Sequence, residues 1–260
     1  MPETTTPHPA GAPCWVYMAA TDQQLALDLY RELFGWKGES GDNTVCELNG
    51  KTAACVGSAK FLDSAGAVFP RDQWIPLLAC PDLEATTGSI FEARGSAGAQ
   101  LELGKLGKLQ QCKDPQGAEF GLWQPGECSG AQITGQAGAM SWFELRTSDT
   151  HGAKKFYGDV FGYTFESQAG GDTMRVGNRD IGTLVQIETR RPYWRTYFEV
   201  DNIPSAEGTV VKHEGDVRAE GGRMFVKGKA YETSEVAGAL TSPDDRVGSR
   251  AEFALMARRR

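Results

Sequence analysis

The chain is poor in the residues from which metal and redox sites are usually built. Its 260 residues include three histidines, His8, His151 and His213, and no cysteine follows Cys128. The six cysteines (Cys14, Cys46, Cys55, Cys80, Cys112, Cys128) form no C-x-x-C pair, which removes the zinc-ribbon and dithiol redox motifs. Four of them sit in strand-like runs (VCEL, AACVG, LLAC, LQQC), where a thiol acts as a small hydrophobe. The opening MPETTTPHPAGAP has neither a basic nor an apolar leader region, so the expected setting is the reducing cytoplasm, with the cysteines as free thiols. No apolar run approaches the roughly 20 residues that cross a bilayer, and no membrane partner is expected. A formal charge of -7 leaves no basic face for phosphates, so nucleic acid is excluded as a partner and Arg258-Arg259-Arg260 reads as a solvated tail. Ser-His-Asp sets, phosphate loops and dinucleotide fingerprints are also missing, and Gly95–Gly98 and Gly170-Gly171 read as turns.

What the chain does have is a repeat. Residues 12–36, APCWVYMAATDQQLALDLYRELFGW, return at 139–163 as AMSWFELRTSDTHGAKKFYGDVFGY. Trp15 matches Trp142, Asp22 matches Asp149, Tyr30 matches Tyr157, and Phe34-Gly35 matches Phe161-Gly162. Further on, AEFGLW at 118–123 echoes AEFALM at 251–256. The period is far longer than the roughly 20–50 residues of a solenoid unit, so each copy is a domain-sized module. The expected boundaries are a disordered tail over 1–11, a first module over 12–125, a linker over 126–138 and a second module over 139–257.

Each module opens on an alternating strand, Cys14–Ala20 or Ser141–Thr147, followed by a helix with its cap written out. Thr21-Asp22 and Ser148-Asp149 supply capping oxygens; Gly35 and Gly162 supply the stops. The period then changes from about 3.6 to about 2. Strands are predicted at Thr44–Leu48, Thr52–Gly57, Gln73–Cys80, Lys108–Lys113 and Glu119–Trp123, with a helix at Leu83–Ala93. The second half predicts strands at Tyr163–Ser167, Thr173–Val176, Ile181–Ile187, Tyr193–Val200, Arg223–Lys227 and Glu252–Met256, with a helix at Pro204–His213. This order implies an α+β fold whose mixed sheets carry helices on one face.

The strand, the T-D or S-D cap, the helix ending in FGW or FGY, and the turn-strand Asp114-Pro115-Gln116-Gly117-Ala118-Glu119-Phe120-Gly121-Leu122-Trp123 together resemble the vicinal oxygen chelate superfamily. Within it the chain is similar to the two-module glyoxalase-like and bleomycin-resistance-like proteins of actinobacteria. The resemblance implies tandem modules, each of paired βαβββ units curled around a cavity. It also implies a divalent metal, held from the first strand and from the strand after the D-P-x-G turn. Carried onto this chain, those positions are Trp15, Trp142, Gly121 and, in the less regular region before the last strand, Ala254. None offers a ligand atom: the indole nitrogen has no available lone pair, and Gly and Ala have no donor side chain. The expectation is therefore no metal and no cofactor.

Residues two apart on a strand share a face. Trp15 with Tyr17, and Trp142 with Glu144, are then expected to face the cavities, joined by Trp123. Such a lining suits a flat aromatic or conjugated small molecule. Core packing is the other reading of each tryptophan, Trp74 and Trp194 included. Glu144 and Glu199 are carboxylates on largely apolar strands, to be held in a pocket, exposed at a rim, or paired with an arginine such as Arg146 or Arg195. Three functions follow. The first is a metal-free binding protein that sequesters or carries an aromatic metabolite or antibiotic. The second is a cofactor-independent tailoring enzyme with Glu144 or Tyr17 as acid or base, and the third a glyoxalase-like detoxification enzyme. A monomer is favoured over a homodimer, because fused modules can complete a cavity within one chain.

Overall fold

The computed structural model describes residues 8–220, 223–227 and 252–257, with side chains as far as Gly215. The first half runs β1 (Pro13–Ala20), α1 (Gln23–Phe34), β2 (Asn43–Leu48), β3 (Lys51–Ser58), α2 (Ala59–Ser64), β4 (Trp74–Ala79), α3 (Leu83–Glu92), β5 (Ser96–Glu102), β6 (Gly107–Lys113) and β7 (Glu119–Pro125). The second runs β8 (Met140–Thr147), α4 (Thr150–Phe161), β9 (Thr164–Gln168), β10 (Gly171–Val176), β11 (Arg179–Gln186), β12 (Tyr193–Val200), α5 (Ile203–Lys212), β13 (Asp216–Glu220), β14 (Arg223–Lys227) and β15 (Glu252–Ala257). The fold is α+β, as the change of period implies.

Two mixed sheets result, of seven strands (β2-β3-β1-β4-β7-β6-β5) and eight (β13-β14-β15-β12-β8-β11-β10-β9). At the centre of each lies an antiparallel pair, β1 with β4 and β8 with β12, flanked by strands parallel to their neighbours. Each sheet is thus two similar units joined about a local two-fold. One unit is abbreviated: where the second half has β9, the first has only a bridge between Lys37 and Glu47.

The repeated helices form for the reasons their sequences give. Asp22 accepts from the Leu25 N–H at 2.9 Å and Asp149 from the Gly152 N–H at 2.8 Å, each satisfying a donor that has no partner within the helix. Gly35 (φ 72°) and Gly162 (φ 69°) end them in the left-handed conformation. Two segments differ from expectation. Ser96–Glu102 is a strand rather than a turn: it pairs with β6 at the sheet edge, where an exposed SAGAQLE gives no apolar alternation. Gly11 is held by a bond to the Ala79 carbonyl at 2.8 Å, and its own carbonyl accepts from the Tyr163 hydroxyl at 2.8 Å, so order begins ahead of β1; residues 1–7 lie outside the described residues.

The sheets are locked together through an aromatic layer built from both halves. Phe198 of β12 packs against Phe34, Trp36 and Trp74 of the first half, with ring centroids 5.1, 5.8 and 5.4 Å away. Phe120 of β7 meets Phe156, Tyr157 and Phe161 of α4. Trp36 donates to the Gly138 carbonyl at 2.7 Å. Trp74 and Trp194 are core: their indoles donate to the hydroxyls of Tyr30 (3.0 Å) and Tyr157 (2.9 Å), the same bond made twice by the repeat. His213, on the surface, pairs with Glu32 of α1 beside Lys212.

Candidate functional site

Alternation sends one set of side chains from each sheet toward the helices and the other toward the opposite, concave face. In the first half, Met18 and Trp74 meet Tyr30 on the helix side, so Trp15, Tyr17, Leu77, Gly121 and Trp123 share the other. In the second half, Trp194 meets Tyr157, which leaves Trp142, Glu144, Arg146, Tyr193, Arg195, Tyr197 and Glu199 on the concave side. Sequence reasoning picked out Trp142 and Glu144 but not Tyr193, Arg195 and Tyr197 as a lining set. Their signal was the period-2 run YWRTYFEV, read across to β8.

The strand register brings the carried-over positions into matching rows. Trp15 lies opposite Leu77, and Leu77 opposite Gly121. Trp142 lies opposite Tyr197, and Tyr197 opposite Ala254. Neither row has a carboxylate, imidazole or thiol, and among the described residues no three His, Cys, Asp or Glu side chains cluster closely enough to hold an ion. The divalent metal implied by the resemblance does not fit these residues.

The two faces differ in what covers them. Trp15, Tyr17, Leu77 and Trp123 are wholly buried. Trp15 and Trp123 pack edge to face at 5.2 Å, Trp123 donates to the Cys128 carbonyl at 3.0 Å, and Phe69 lies over Tyr17 at 5.5 Å. The segment after β7 is thus more than a spacer, since Ala131 and Ile133 are also buried. Leu77 fills the space above Gly121, where a Cβ would strike its Cδ2. Tyr17 crosses Gly57 to donate to Asn43 Oδ1 at 2.8 Å, and its burial pushes the phenol well above its ordinary pKa. A Cβ at Gly57 would collide with that phenol. Gly57→Ala is expected to cost about 1–3 kcal/mol through overpacking, against little change for Gly41→Ala, which has open space; urea titration of both variants checks this.

The second face is charged and partly open. Trp142 is half-buried and donates to Thr183 Oγ1 at 3.0 Å. Glu144, 4% exposed, accepts from Arg146 at 3.0 Å, so of the readings open to it the arginine pair is present. Arg195 lies directly opposite Glu144 on β12, donates to the Tyr193 hydroxyl at 3.0 Å and stands 5.5 Å from that ring's centroid. Tyr197 is buried and Glu199 half-buried. This face can stack a flat ring, form charge-assisted hydrogen bonds, and shelter a carboxylate beside guanidinium groups.

No family model matches the chain. Over 249 residues it is 29% identical to a protein named glyoxylase CFP32 from Mycobacterium tuberculosis (strain CDC 1551 / Oshkosh), covering 89% of this chain and 94% of that one. It is 28% identical over 235 residues to the anthracycline biosynthesis protein DauV of Streptomyces sp. (strain C5), covering 81% and 84%. Among solved structures, the Mn(II)-bound glyoxalase from Novosphingobium aromaticivorans superposes with a TM-score of 0.57 at 14% identity, covering 96% of this chain and 83% of that one. The chain has the fold of the vicinal oxygen chelate proteins. Its two halves have the tandem arrangement of that fold. No helix among the described residues is long and apolar enough to cross a membrane.

Proposed function

We propose that this protein of the vicinal oxygen chelate fold is a metal-independent binder of an aromatic or conjugated small molecule, which it sequesters or carries on the concave face of its second module. The boundaries expected from the repeat, 12–125 and 139–257, define the two modules in this reading. One observation carries it: Trp142 is half-buried beside a sheltered Glu144–Arg146 pair, whereas its counterpart Trp15 is wholly covered. The similarity to DauV, named for anthracycline biosynthesis, supports an anthracycline-like aromatic as ligand, and the six buried thiols suit a reducing cytoplasm. The aromatic layer shared within one chain favours a monomer.

Titration with a planar anthraquinone is expected to quench tryptophan fluorescence. Trp142→Leu removes the stacking surface and is expected to weaken binding about tenfold, equivalent to about 1.4 kcal/mol. Unaltered affinity in that variant places the ligand elsewhere. A second reading makes Glu144 an acid or base in cofactor-independent turnover, favoured by its burial on the concave face. Lost turnover with retained affinity in Glu144→Gln supports catalysis; unchanged turnover dismisses that role.

A further inference from the structure

Among the described side chains, the concave face of the second module has opposite charges at its two ends. At one end Arg146 and Arg195 flank the single carboxylate of Glu144. The loop between β11 and β12, which follows the bond from Ile187 to the Thr147 carbonyl, brings exposed Arg190 and Arg191 to the same end, with Glu188 as its one acid. Alternation along β12 puts Glu199 on the same face as Arg195, four residues on. At about 3.3 Å per residue the two lie roughly 13 Å apart, with Tyr197 between them and Trp142 opposite Tyr197.

Each end also has an enclosed polar atom without a hydrogen-bond partner among the described residues. These are the Nε donor of Arg146 and the Oε2 acceptor of Glu199. Buried donors and acceptors are nearly always satisfied, because leaving one unmet costs about 1–3 kcal/mol. An unmet donor at the cationic end and an unmet acceptor at the anionic end, separated by aromatic rings, describe the complement of one elongated ligand. We infer that this ligand is a planar aromatic acid. Its carboxylate or phenolate lies between Arg146 and Arg195, its rings lie along Trp142 and Tyr197, and a hydroxyl at the far end donates to Glu199. The inference rests on the binding reading given above and adds the ligand's charge and orientation.

The test compares two probes of one shape, anthraquinone-2-carboxylate and anthraquinone-2-carboxamide, by isothermal titration and tryptophan quenching at pH 7.5. The acid is expected to bind at least tenfold more tightly, because a charge-assisted pair with a guanidinium replaces a neutral hydrogen bond. That preference is expected to shrink as sodium chloride is raised. In Arg195→Met and in Arg146→Met, checked for native circular dichroism, the preference is expected to fall below threefold, the acid losing more affinity than the amide. Equal affinity of the unaltered protein for acid and amide overturns the inference and leaves the binding reading intact. If neither probe binds, the binding reading fails and the inference fails with it.

Discussion

Phe198→Ala is expected to lower the free energy of unfolding by about 3–5 kcal/mol, the range for truncating a fully buried phenylalanine. Phe198 belongs to the central strand of the second sheet, yet it packs against Phe34, Trp36 and Trp74 of the first half. The cavity would therefore open at the contact between halves, where neither sheet can collapse into it without giving up its own pairing. Urea unfolding followed by tryptophan fluorescence and by far-ultraviolet circular dichroism measures the effect. A loss under 1 kcal/mol would mean that the halves are not held together here. Phe91, 56% exposed on α3, provides the contrast, and its replacement by alanine is expected to change stability by no more than about 0.5 kcal/mol.

The second large effect is a pH dependence opposite to that of ordinary paired carboxylates. Asp114, in the turn before β7, is buried; its Oδ1 accepts from the N–H groups of Gln116 (3.0 Å) and Ala118 (2.9 Å), and its Oδ2 from the Tyr157 hydroxyl (3.3 Å). Burial outweighs these bonds and pushes its pKa up to about 6, from an ordinary 3.8. A carboxyl with a raised folded pKa contributes most below its unfolded value, and that contribution is lost as pH rises through the folded value. At about 1.4 kcal/mol per unit, Asp114 is expected to withdraw about 3 kcal/mol of stability as pH rises from about 3 to about 7. Asp114→Asn retains an oxygen for the turn and never ionises. Its stability relative to the unaltered protein is expected to rise by about 2 kcal/mol from pH 4.5 to pH 7.5, measured by urea titration at both values. A flat difference would show that Asp114 titrates normally. Asp114→Ala, by stripping the turn's acceptors, is expected to be destabilising at both.

Much of this architecture was legible because the repeat wrote it twice. The caps Asp22 and Asp149 and the stops Gly35 and Gly162 follow from matched positions, whereas the bonds of Trp74 to Tyr30 and of Trp194 to Tyr157 show only in the structure. The register also joins Ala254 to Tyr197 as it joins Gly121 to Leu77, although the sequence just before Ala254 departs from the pattern. The covering of the faces was not legible. Whether Trp15 meets a ligand or the core depends on which distant segment lies over it, and a Gly-, Gln- and Ser-rich stretch does not announce that Ala131 and Ile133 will be buried. The helix Ala59–Ser64 was too short for a periodic signal, and Ser96–Glu102 is an exposed edge without alternation. Arg195 could be named as a partner for Glu144, but its place directly opposite required the register of β8 against β12.

The cover that Phe69 and the segment beyond Trp123 form over the first module bears on stoichiometry. A chain with two copies of a fold would ordinarily saturate at two ligands, with room for cooperativity between them. Here one copy has its concave face packed with its own side chains, so under the proposed function the expected binding curve is hyperbolic and ends at one ligand per chain. The symmetry of the backbone does not extend to the side chains that line the two concave faces.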